Sequence, residues 1–181
     1  MSILSDSLNK FKNEKTIIQV YRDDIDDNAQ NGLVLDFNDE FIILFLLSTE
    51  GTSDGISIIK TADVTDINWE LNSLASIEIL MREKETKIPE LQVDKSSIKT
   101  ILQSCFSIFG YVSIYTVDDA EKFTLGEIKD IDNDFIWLHQ IPTRSTRDRF
   151  HSIFRIDRII RIDVDSEYEQ DSVFLMKRLN L

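Results

Sequence analysis

Residues 32–47 read Gly32-Leu33-Val34-Leu35-Asp36-Phe37-Asn38-Asp39-Glu40-Phe41-Ile42-Ile43-Leu44-Phe45-Leu46-Leu47. Residues 33–37 read as a strand, Asn38-Asp39 as a tight turn, and residues 41–47 as a returning strand that is apolar at every position. Phe41, Ile43, Phe45 and Leu47 fall on one face of that strand, and Ile42, Leu44 and Leu46 on the other. Both faces therefore require cover. Upstream, the pattern predicts a short helix over residues 2–12, capped by Ser2, with Leu4, Leu8 and Phe11 on one side. A strand over 16–21 and a polar turn over 23–31 lead back to Gly32. Downstream, Asp54-Gly55 closes a loop, residues 56–60 and 64–69 read as two more strands, and a helix is predicted over 72–84.

The chain then repeats itself. Shifted by 94 residues, 16–49 lies on 110–143 without a gap. The identities are Tyr21/Tyr115, Asp24/Asp118, Gly32/Gly126, Asp36/Asp130, Phe41/Phe135, Ile42/Ile136, Leu44/Leu138 and Thr49/Thr143. After one added residue the match resumes at a shift of 95, through Ser57/Ser152, Ile58/Ile153, Ile67/Ile162, Leu80/Leu175 and Met81/Met176. Internal periodicity of this kind defines the architecture before any local reading does; likeness of composition between two β-rich stretches is the alternative. The second copy is read as a helix capped by Asp94, with Ile98, Ile101, Leu102, Cys105 and Phe106 on one stripe. Strands follow over 111–115, 123–131, 135–141, 151–156 and 159–164. A last helix opens at the capping box Ser166-x-x-Glu169.

With 181 residues, ample apolar content and few glycines or prolines, the chain is long enough for two small domains. The stretch 83–94, with Pro89, reads as the linker, giving domains of 1–88 and 89–181. The net charge is -13. Residues 1–88 hold eight basic and seventeen acidic side chains (net -9), and 89–181 hold twelve and sixteen (net -4). Such a field repels phosphate backbones and favours basic partners. No apolar run approaches a membrane span and the N-terminus lacks a signal pattern, so a cytoplasmic protein without membrane association is expected. Cys105 is the single cysteine, which leaves neither an intrachain disulfide nor an all-cysteine metal site.

A helix followed by five short strands, with Gly32-x-Val34-x-x-Phe37-x-x-x-Phe41-Ile42-Ile43-Leu44, residues 56–69 and their partners in the second copy, resembles the Sm-like fold, a small SH3-like barrel. The resemblance implies a mainly β, α+β chain of two tandem five-stranded barrels, each with an N-terminal and a C-terminal helix. It does not carry over the family's RNA-binding residues. The loops that would bear them read Asn38-Asp39-Glu40, Asp132-Asn133-Asp134, Thr61-Ala62-Asp63 and Asp157-Arg158, with carboxylates where phosphate would come.

Few residues fall into a catalytic or metal-binding pattern. Asp24-x-Asp26-x-Asn28-x-Gln30 begins like a calcium loop, but Ala29 and Leu35 stand where glycine and a bidentate acid are needed. His139 and His151 lie on neighbouring strands with no third ligand at a telling spacing. Cys105 sits on an inward helix face, and no nucleophile elbow, phosphate loop or dinucleotide fingerprint occurs. The reading is a non-enzymatic protein with no cofactor and no metal, which binds another protein. Two features are candidate contacts. Arg144, Arg147, Arg149, Arg155, Arg158 and Arg161 crowd into 144–161 of an acidic chain, and suit either an anion or the local Asp and Glu. Phe45 and Leu46 are replaced by His139 and Gln140 in the second copy, so the first copy has apolar surface that the second lacks, which either packs against its own helices or the sister domain or forms a partner-binding patch. RNA binding through 143–161, and an immunity-type role in which acidic surface neutralises a basic toxin, are the competing readings.

Overall fold

The computed structural model describes residues 2–143 and 148–179. The chain is mainly β with flanking helices and divides into two compact units, 1–91 and 92–181. In the first unit α1 (Ile3–Glu14) precedes β1 (Ile17–Arg22), β2 (Asp26–Phe37), β3 (Phe41–Leu47), β4 (Ser53–Lys60), β5 (Asp66–Asn68) and α2 (Asn72–Glu83). In the second unit α3 (Ile98–Phe109) precedes β6 (Val112–Thr116), β7 (Asp119–Ile131), β8 (Phe135–Gln140), β9 (His151–Arg155), β10 (Ile159–Val164) and α4 (Glu167–Leu179). Single 3-10 turns, Thr61–Asp63 and Ile156–Arg158, separate the last two strands of each unit.

Within the first unit the strand order is β5-β1-β2-β3-β4, and within the second β10-β6-β7-β8-β9, all antiparallel. Among the described residues β4 does not hydrogen-bond to β5, nor β9 to β10, so neither set of five closes on itself. The registers coincide under the sequence offsets. Ile18 faces Gly32 as Val112 faces Gly126, Val20 faces Ile67 as Ile114 faces Ile162, and Phe41 faces Lys60 as Phe135 faces Arg155. The register slips at Leu35 in β2 and at Lys129 in β7, and such a bulge bends its strand and sharpens its twist. The turns agree as well. Asn38 Oδ1 accepts from the N–H of Glu40 and Phe41, and Asp132 Oδ1 from those of Asp134 and Phe135. Glu70 and Asp165 both take positive φ just before the closing helix.

Local chemistry sets the element ends. Ser2 Oγ caps α1 by accepting from Ser5 N–H, and Leu8 and Phe11 of that helix reach a core containing Ile18, Val34, Leu44, Leu46 and Ile59. The cap of α3 is Ser97 rather than Asp94: Ser97 and Thr100 exchange side-chain and backbone bonds, while Asp94 Oδ1 accepts from Ser96 N–H one step earlier. Ser166 and Glu169 form the expected reciprocal box at α4. The predicted polar turn over 23–31 is instead mostly strand. Asp26 pairs across the hairpin with Arg22, both are buried, and a buried charge persists only with such a partner. Of the calcium-like series, Asp24 lies in the turn, and Asp26, Asn28 and Gln30 lie in β2. Part of the expected linker belongs to the first unit, since Thr86 Oγ1 donates to the Gly51 carbonyl at 2.7 Å.

Candidate functional site

Equivalent strands of the two units differ most in what their outer faces meet. All seven residues of β3 are buried. Phe45 is 2% exposed and Leu46 7%, and Leu46 packs into the core beneath α1. Neither forms the partner-binding patch that the sequence allowed. The exposed apolar face belongs to the second unit. Along β8, Ile136 and Leu138 point inward, while Phe135 and Trp137 are each 41% exposed. Across on β9, Ile153 is 68% exposed. The register sets Phe135 against Arg155, Trp137 against Ile153, and His139 against His151. In the first unit the same places are held by Phe41, Ile43, Phe45, Ile56, Ile58 and Lys60, and all but Lys60 are buried.

The face is an ordered aromatic ladder. Trp137 Nε1–H donates to His151 Nδ1 at 2.9 Å, which places the proton of neutral His151 on Nε2. The two imidazoles stack at 4.2 Å between centroids, 15° apart, and the indole meets His151 edge-on at 5.4 Å. Partial burial, the Arg149 cation and the neighbouring His151 hold His139 below the usual histidine range. Arg155 lies over the Phe135 ring at 5.9 Å. Exposed Asp130 at the end of β7 and a turn bearing exposed Asp132 and Asp134 border the Phe135 end. Its backbone N–H donors keep Asp132 below the ordinary carboxylate range. Glu127 borders the His139 end. Burial opposes its ionisation, but the Lys129 hydrogen bond and the Arg149 charge hold its carboxyl low.

Among the described residues β9 is the outer strand of its set, paired on one side only, with β8. Gln140 N–H donates to the Phe150 carbonyl, and Ile156 N–H to that of Asp134. In an antiparallel ladder the bonded residues alternate. The amides and carbonyls of Ser152 and Phe154 therefore face β8, and those of His151, Ile153 and Arg155 face away from it. Behind the strand lies a pocket of about 400 Å³ walled by Phe123, Leu125, Gln140, Phe150, Phe154 and Tyr168. The first-unit counterparts of Gln140 and Phe154 are Leu46 and Ile59, which belong to one core cluster with Leu8 and Phe11.

The arginines singled out from sequence are not gathered into one site. Arg144 and Arg147 lie outside the described residues. Arg149 bonds Glu127 at 2.7 Å beside the ladder. Arg155 forks onto Asp157 at 3.0 and 2.6 Å. Arg158 pairs with Asp118, and Arg161 pairs with Asp163 while covering the Tyr115 ring at 4.4 Å. Each of these four has a carboxylate partner in its own unit. Cys105 is buried, and burial pushes its thiol up to about 12. Among the described residues no cluster of three or more potential ligands is drawn together, and no helix is long and apolar enough to cross a membrane.

Sequence reasoning missed Phe135, Trp137, Ile153 and Phe150 as surface. The signal was present: Phe135, Trp137 and His139 occupy alternate positions, and polar residues stand among their partners across the strand. Comparison with protein-family models, with curated proteins and with solved structures returns no match.

Proposed function

We propose that the chain is a non-enzymatic, cytoplasmic protein-binding protein built from two Sm-like, partly open barrels that arose by tandem duplication. The outer face of β8 and β9 is its docking surface. The duplication is supported by the coincident registers, bulges and turns of the two units. The observation that carries the docking role is the exposure of Phe135, Trp137 and Ile153 at positions whose first-unit counterparts are buried. Aromatic and aliphatic side chains held in order beside an arginine, with a charged rim, have the composition of an energetic centre for protein recognition. The test is partner capture from the native cells by the full chain and by its Trp137→Glu variant, with Phe174→Ala on the exposed side of α4 as control. Trp137→Glu is expected to lose a co-purifying protein that Phe174→Ala retains. Identical capture by all three refutes the assignment.

RNA binding is the second reading. The Trp137–His151–His139 ladder favours it, because bases stack on such rings. The net charge and the carboxylate partners of Arg149, Arg155, Arg158 and Arg161 oppose it. It predicts a salt-sensitive electrophoretic shift of single-stranded RNA at about 50 mM salt. Neutralising a basic toxin, the immunity-type role, is a special case of protein binding.

A further inference from the structure

The outer face and the open side of β9 meet along one line. His151, Ile153 and Arg155 contribute side chains to the face, and their amides and carbonyls point away from β8. A partner lying there meets backbone donors and acceptors at the β-strand repeat. On one flank it also meets the apolar surface of Ile153, Trp137 and Phe135. An extended strand satisfies both, by continuing the ladder and interleaving its alternate side chains with that face.

We propose that β9 accepts an extended segment of a partner protein as an added strand, and that this segment alternates apolar with basic residues. The inference rests on the docking surface proposed above and specifies how it is used and by what. The apolar half of the pattern follows from Ile153 and Trp137. The basic half follows from the surroundings. Asp130, Asp132 and Asp134 stand exposed beside the Phe135 end, and Asp157 follows β9. Among the described residues, Arg155 is engaged with Asp157, and both Arg149 and Lys129 with Glu127. A Lys or Arg on the added strand is drawn in by a chain of net charge -13. A second copy brings the same negative charge and is disfavoured on the same ground. A nucleic acid meets the same field and makes no use of the backbone edge.

The probe is a synthetic ten-residue peptide alternating Lys with Val or Ile, titrated into the full chain by fluorescence anisotropy. Three changes then separate the terms. N-methylation of alternate peptide amides removes the ladder bonds and leaves charge and side chains intact. Exchanging every Lys for Glu reverses the charge. Ile153→Pro deletes one outward N–H without touching the bonds to β8, a change that outer strands tolerate; circular dichroism verifies its fold.

Binding is expected, and each change is expected to weaken it at least about tenfold, the equivalent of one lost good interaction. No binding at about 1 mM peptide overturns the proposal. So does an N-methylated peptide that binds as well as its parent. If Trp137→Glu abolishes binding while N-methylation does not, the surface stands and strand addition falls. If neither matters, the surface assignment falls with it. Concentration-dependent dimerisation, or binding of oligouridylate, that disappears in Ile153→Pro replaces the peptide with a second copy or with RNA.

Discussion

Strands β3 and β8 share register, bulged neighbour and turn, yet one is sealed and the other half open. The backbone therefore does not decide which face is surface. At the outer positions the first unit has Phe41, Ile43 and Phe45 against Lys60, Ile58 and Ile56, and Lys60 is the one of these side chains with a polar atom. The second has Phe135, Trp137 and His139 against Arg155, Ile153 and His151. An imidazole, an indole N–H and a guanidinium carry an apolar body and a polar tip, so they can remain in water where an aliphatic cluster cannot. One framework thus supports a core layer or a display layer, depending on about six side chains.

The units also differ in buried charge, and the largest expected effect tests that. Arg22 and Asp26 pair inside the first unit, where the second has Thr116 and Ala120. Arg22→Ala leaves the Asp26 carboxylate buried alone and is expected to cost about 3–5 kcal/mol. Urea unfolding followed through Trp69, in a Trp137→Phe background, measures it. Next comes the exposed face itself. Ile43→Ala, at a position 2% exposed, is expected to cost about 2–4 kcal/mol. Trp137→Ala, its register equivalent, is expected to cost under about 1 kcal/mol, because it loses only cross-strand contact. Equal costs by circular dichroism would erase the distinction between the strands.

A third test uses Glu169, buried in α4, whose carboxyl burial lifts from 4.5 to about 7. The folded protein keeps that proton up to about pH 7, whereas the unfolded chain releases it near 4.5. The folded state thus holds more protons in this window, and the second unit loses stability as pH rises through it. Glu169→Gln is expected to flatten the profile and add about 1–3 kcal/mol at pH 8. An unchanged pH dependence of unfolding sinks the assignment. The smallest contrast concerns two glycines. A Cβ at Gly32 would press into the Phe45 carbonyl oxygen, whereas one at Gly126 would sit 3.0 Å from that of His139. Gly32→Ala is expected to cost about 1 kcal/mol more than Gly126→Ala in parallel thermal melts.

Most of the framework was legible in the sequence, because strand alternation, capping residues and Asp-Gly or Asn-Asp turns are local signals. The strand 41–47 and the box Ser166–Glu169 stand where they were read. The hairpin arm 26–31 was not legible, because its polar composition mimics a loop. Pairing with β1 from Gln19↔Asn31 to Arg22↔Asp26 makes it strand, and that pairing leaves no mark in its composition. The cap at Ser97 lost to Asp94 in the reading for a similar reason, since both residues can accept from a nearby amide. Phe45 and Leu46 allowed two outcomes, packing or a partner-binding patch, and their burial is the packing outcome. Greasiness measures the need for burial, and the most apolar strand is the one that is covered. Exposure shows instead in the mixed pattern of 135–139 and 151–155.

The alternation along β9 has a kinetic consequence. The amide protons of Ser152 and Phe154 are tied to β8 and can leave only when the sheet opens, while those of His151, Ile153 and Arg155 face away from it. One five-residue strand therefore carries two exchange clocks, a fast one on odd residues and a slow one on even residues. In heavy water the free protein should exchange every second position first, and an added strand should bring both sets to one slow rate.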